Sequence, residues 1–250
     1  MIRTLALREL RSLFLSPLAW AILAVVVFLL AWLFLAQVEY FQRIQPQLVA
    51  IPNAPGLTAI VVAPMLGDAA IILMLVTPLL TMRLIADERR NRTLPLLLSS
   101  PASMTEIVLG KYLGLMLFFL VLLALIALMP LSLLMGGGLD FGTLAAGFLG
   151  LALLLAAYGA AGLFMSALTR QPTVAAISTF GLLLLLWVID WSGNARPGMS
   201  GVFAYLSLLQ HYSSLLKGMF DTKDVIYYLL FILTFLVLSV RRLDADRLQH

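Results

Sequence analysis

The sequence predicts an all-α integral membrane fold of six transmembrane helices, and three observations predict it. Apolar types make up 62% of the 250 residues, charged types only 11%, and the mean hydropathy is +1.06. Soluble domains hold about half apolar and about a quarter charged residues, so lipid must solvate much of this chain. The apolar residues gather in runs near the ~20 residues that a helix needs to cross the hydrocarbon core. Lysine and arginine collect at alternate ends of those runs, as the positive-inside rule requires of a multi-pass protein. The pI near 9.6 and net charge of +4 arise from these flanking residues, so no nucleic-acid partner is expected. The chain has no cysteine, which excludes disulfides and thiolate metal sites.

Residues 1–16, MIRTLALRELRSLFLS, place Ile2, Leu5, Ala6, Leu10 and Leu13 broadly on one helical side and Arg3, Arg8 and Arg11 opposite. That pattern fits a helix lying in the interface, although Glu9 falls on its apolar side; a plain N-terminal flank is the alternative. The apolar run from Pro17 to Val38 outlasts a signal-peptide core of about 7–15 residues and lacks a small-x-small cleavage site after it, so it reads as a retained anchor. The other spans are predicted at Leu66–Ile85, Ile107–Met135, Phe141–Leu168, Thr173–Trp191 and Val225–Val240, with Pro130 expected to bend the third. The last is short and would draw on residues either side.

Between them, residues 39–65 read as a proline-containing outer link. Residues 192–224 form an outer loop in which VFAYLSLLQHYSSLLKGMF is too polar to span and too oily for an ordinary loop, so it predicts a re-entrant or interfacial helix before the last span. With this layout one side collects 12 of the 16 basic residues, among them Arg83, Arg89, Arg90, Arg92, Lys111, Arg170, Arg241 and Arg242; the other side holds Arg43, Arg196, Lys217 and Lys223. Both termini are therefore expected in the cytoplasm, with residues 86–106.

That link, ADERRNRTLPLLLSSPASMTE, carries two helix starts. Thr93 can cap a short helix with Pro95 in its first turn, and Ser99-Ser-Pro101 ends it. Ser103 and Glu106 have capping-box spacing at the start of the third span. Leu94, Leu96, Leu97 and Leu98 then form an apolar knob rimmed by Asp87, Glu88, Arg89 and Arg92, suited to a partner's groove. A helical hairpin tucked against lipid headgroups is the alternative reading.

The run LLTMRLIADERRNRTLPLLLSSPASMTEIVLGKYLG resembles the segment joining the second and third helices of ABC-2-type transporter permeases. RELRSLFLSPLAW and QHYSSLLKGMFDTKDVIYYL resemble the gliding-motility-type and copper-processing-type branch. The three motifs occur in order over nearly the whole chain. The resemblance implies that residues 86–106 carry a cytoplasmic coupling helix seated in a cytosolic ATPase, so Asp87, Glu88, Arg89, Arg92, Thr93, Leu94, Leu96, Leu97, Leu98, Ser103 and Glu106 would be the coupling residues. It also implies a dimer of permease copies, alike or related, with an ABC ATPase dimer that binds ATP and Mg. It implies a bacterial inner-membrane location, an export direction, and room for an accessory periplasmic or membrane protein. Two positions depart from the family's pattern: Arg92 stands where glycine is usual, and Pro95 where an acid is usual.

Other chemistry finds little support in the residues. Leu109-Gly-Lys111-Tyr lacks the preceding glycine and the hydroxyl of a phosphate loop, so no ATP or other cofactor is expected in this chain. The two histidines, His211 and His250, are too few for a histidine zinc site. Ser166 has no basic partner on its own helix, which argues for packing and against a hydrolase. Asp68, Asp190, Glu39 and Asp140 fall near span ends and read as interfacial. Ala152, Ala156 and Ala160, with Gly159 and Gly162, and Gly110 with Gly114, have the spacing of close helix contacts. Trp20, Trp32, Trp187 and Trp191 read as an aromatic belt.

Overall fold

The computed structural model describes residues 1–48, 55–93, 103–135, 138–195 and 207–247, with backbone alone at 135 and 190–195. Within these the chain is helical without strands. In order it forms α1 (Ile2–Leu15), α2 (Pro17–Leu48), a π-helical stretch Thr58–Val62 leading into α3 (Ala63–Thr81), and α4 (Ala86–Arg90). These are followed by α5 (Met104–Ser132), α6 (Phe141–Leu168), α7 (Pro172–Ala195), α8 (Leu208–Leu216) and α9 (Thr222–Arg247). Six of the helical stretches are long and apolar enough to cross a membrane.

Helices exceed the apolar runs where polar ends can continue the hydrogen-bond ladder. The first spanning helix, α2, continues ten residues past Val38 to Leu48, with Arg43 bonded to Glu39 at 2.5 Å one turn earlier, so the expected outer link is partly helical. The second helical stretch starts at Thr58, before Leu66, and breaks at 82–85 instead of continuing to Ile85. The last runs through Asp244 and Asp246 to Arg247. Pro130 lies in the last turn of α5, which then tightens into a 3₁₀ turn over Leu133–Met135.

Helix α6 occupies the middle of the bundle, because its small residues admit neighbours closely. A Cβ on Gly162 would lie 2.7 Å from the Thr81 Cβ of α3, and one on Gly159 would lie 2.8 Å from the Met116 Cε of α5. Without a hydrophobic driving force inside lipid, such close contact is a main source of helix association. The packing face differs from the alanine stripe: Ala152 is exposed and Ala156 half-buried, while Gly159, Ala160, Ala161 and Gly162 are buried. Tyr112 on α5 reaches across to the Ala156 carbonyl at 3.0 Å.

At the end away from most of the arginines, α6 starts at Asp140, whose carboxylate accepts the Gly142 N–H at 2.9 Å and the Thr143 hydroxyl at 2.6 Å. Those hydrogen bonds, with the one from the Thr143 N–H, hold the Asp140 pKa below the usual carboxylate range. Asp140 is therefore a helix cap as well as an interfacial acid. Helix α8 lies here, within the oily segment that predicts it. Leu215 and Tyr212 press on Gly150 of α6, the Tyr212 hydroxyl donates to the Leu66 carbonyl at 3.1 Å, and Tyr228 donates to the Leu208 carbonyl at 2.6 Å. His211 stacks on Tyr227 and meets the Asp224 carboxylate at 2.6 Å. Residues 196–206, and the side chains of Asp190 and Trp191, lie outside the described residues. Trp20, Trp32 and Trp187 are exposed.

Candidate functional site

The predicted site begins in α4, a five-residue helix with Asp87 and Glu88 in its first turn and Arg89 and Arg90 in its last, the order that favours a helix dipole. Too short to stand alone, it is held from outside. Ser166, fully buried on α6, accepts hydrogen bonds from the Ile85 and Ala86 N–H groups at 3.1 and 3.0 Å and donates to the Met82 carbonyl at 3.1 Å. One hydroxyl thus satisfies the break after α3 and the start of α4. Ser166 does more than pack, and its partners some 80 residues away give no local signal.

A Schellman closure ends α4. The Thr93 N–H donates to the Glu88 carbonyl at 3.0 Å and the Arg92 N–H to the Arg89 carbonyl at 3.3 Å. The closure places Arg92 at φ 57°, left-handed backbone that favours glycine. The departure noted at this position is therefore a strained one. The same closure ends α8, where Gly218 holds φ 77° without that cost.

Two ion-pair nodes fasten α4 to the bundle. Lys111 on α5 is 5% exposed and lies 2.8 Å from Glu88 and 3.2 Å from Glu9 of α1. Glu9 occupies the apolar side of α1 for this reason: that side faces Lys111. Helix α1 reaches it by lying in a notch on α5, where a Cβ on Gly110 or Gly114 would come within 2.6 Å of the Leu5 or Glu9 Cβ. The expected interfacial helix is thus also a packed one, and Gly110 and Gly114 serve α1. At the second node Arg89 pairs with Asp246 of α9, which Arg242 also approaches at 3.6 Å. Burial lowers the Arg89 pKa, Asp246 opposes that shift, and Arg242 and Arg170 add to it. The guanidinium stays cationic at any working pH.

Of the predicted residues, Glu88 and Arg89 enter these nodes. Asp87 lines a small cavity of about 210 Å³ with Arg8, Glu9, Arg83, Glu88 and Lys111 among its polar residues. Arg92 and Thr93 form the closure, with the Thr93 hydroxyl donating to the Glu88 carbonyl at 3.3 Å. Ser103 and Glu106 form the capping box: the Ser103 hydroxyl accepts the Glu106 N–H at 3.2 Å, and the Glu106 carboxylate accepts the Ser103 N–H at 3.0 Å. Leu94, Leu96, Leu97 and Leu98, and the helix that Thr93 is expected to start, lie outside the described residues. Helix α4, Ser166, Glu9 and Asp246 were missed. The acid-then-base order of ADERR was the only available signal among them.

Six helices apolar enough to cross a membrane, packed around a small-residue centre with two buried ion-pair nodes at the basic end, define a multi-pass membrane protein. The family model described as ABC-2 family transporter protein matches residues 3–248, and the chain belongs to that family. No curated protein matches it. The chain is accordingly a membrane component of an ABC-type transport system.

Proposed function

We propose that this chain is the membrane-spanning permease subunit of an ABC transporter, without catalysis of its own, coupling ATP hydrolysis by a separate cytosolic ATPase dimer to export. It works as a dimer of permease copies in a bacterial inner membrane, with both termini and α4 in the cytoplasm; ATP and Mg belong to the ATPase. Its motifs favour the gliding-motility-type and copper-processing-type branch.

One observation carries the reading. The segment that would meet the ATPase starts from a helix tied to four other helices, through Ser166 on α6, Lys111 on α5, Glu9 on α1 and Asp246 on α9. A load that reaches α4 is shared among these four helices. Substitution of Leu96 and Leu97 by glutamate is expected to release the ATPase from the purified complex while the bundle stays folded. Undiminished co-purification and ATP turnover would reject the docking role.

A second reading, transmission of motion to an outer partner without translocation, is favoured by α8. Its contacts with Gly150 and Leu66 join it to α6 and α3, so movement at the basic end would reach the opposite surface. A proteoliposome transport assay, with and without an accessory protein, separates the two.

A further inference from the structure

A cleft of about 640 Å³ opens at the basic end between the close of α4 and the turn joining α6 to α7. Four arginines line it, Arg89, Arg90, Arg92 and Arg170, together with residues 171–173, and among the described residues no carboxylate does. Arg89 reaches it from behind: its side chain is 7% exposed, and its Nε has no acceptor among the described residues although its terminal nitrogen holds Asp246. Arg90, Arg92 and Arg170 are exposed and enter no ion pair among the described residues.

Two further features favour an anion there. Helix α7 begins at Pro172, which has no N–H to orphan, so the next amide donors lie at the positive end of a 24-residue helix beside the arginines. Arg92 also keeps its guanidinium at the cleft despite a backbone conformation that a glycine would adopt freely. A planar guanidinium fork matches phosphate oxygens in pairs, and several such forks facing one space favour a phosphate there.

The surroundings identify the source of that phosphate. The cleft stands at the mouth of a transmembrane helix, and exposed apolar side chains flank its lining residues along the chain: Leu168 at 45%, Val174 at 46% and Ile177 at 72% exposure. A soluble phosphate has no use for this strip, whereas a lipid places its headgroup and its chains on such neighbouring surfaces. We propose that the cleft seats the headgroup of an acidic phospholipid, with its chains along Val174 and Ile177. Such a lipid bridges the end of α4 to the start of α7, a junction that no ion pair makes among the described residues. The inference stands on the cleft alone, whether or not an ATPase moves α4.

The test uses the purified full chain in neutral detergent, titrated separately with dioctanoyl phosphatidylglycerol, dioctanoyl phosphatidylcholine and inorganic phosphate. Native mass spectrometry reads bound adducts, and thermal denaturation reads stabilisation. The acidic lipid is expected to bind and raise the melting temperature, with the neutral lipid and phosphate inactive at the same concentration. Arg170→Ala and Arg92→Gly should each weaken the acidic lipid roughly tenfold, the loss of one charge-assisted contact. Arg11→Ala, which removes the same charge from α1 outside the cleft, should not. Glycine suits the backbone at 92, so that variant remains informative if Arg170→Ala misfolds. Equal binding of both lipids, an equal loss in Arg11→Ala, or saturation by phosphate alone would overturn the proposal.

Discussion

At the residue scale, Arg92 and Lys111 make opposite kinds of prediction. Arg92 occupies left-handed backbone at φ 57° on the exposed side of a Schellman closure. Glycine there removes a Cβ conflict worth about 1 kcal/mol. In lipid-free detergent, Arg92→Gly is therefore expected to raise the thermal midpoint; a fall would show that the side chain contributes more than the strain costs. Lys111 is the reverse case, a buried cation between two carboxylates. Lys111→Met leaves Glu9 and Glu88 without the buried cation they share, at a cost of about 3–5 kcal/mol. Adding Glu9→Gln and Glu88→Gln to it should recover most of that loss, because the desolvated charges then go together. Chemical denaturation of the single and triple variants checks both arms.

At the element scale, legibility followed hydrogen-bond range. The Ser103–Glu106 capping box was readable because both partners lie within one turn, and it formed as the spacing implies. The Phe141–Leu168 helix has the bounds that its apolar run predicts. Helix α4 escaped notice because five residues show no period, and its stability comes from a serine on another helix. Glu9 read as a flaw in an amphipathic pattern because its partner, Lys111, is distant in sequence. The polar continuation of α2 to Leu48 was hidden because hydropathy marks where lipid ends and not where a helix does. Ser166 yields the prediction at this scale. Ser166→Ala strands the buried Ile85 and Ala86 amides, each unmet group costing about 1–3 kcal/mol. Fast hydrogen exchange confined to residues 82–93, with α5 and α6 still protected, is the expected signature.

At the scale of the whole molecule, the basic end is a brace. Helix α4 meets α5 and α1 at one node and α9 at the other, while the centre of the bundle is joined mainly by close glycine contacts. Motion delivered to α4 would therefore divide according to which node holds. Asp246→Asn removes the charge that Arg89 and Arg242 share but keeps the side-chain volume, so it weakens the tie to α9 and leaves Lys111 untouched. If α4 is the point of entry, this variant should retain its ATPase and hydrolyse ATP at a near-normal rate, while transport per ATP falls several-fold. Lys111→Met with both glutamates neutralised should instead spare the tie to α9. Proteoliposomes assayed for both turnover and flux separate these outcomes. Equal, proportionate losses of turnover and flux in the Asp246 variant would mean that this node supports assembly and not the passage of force.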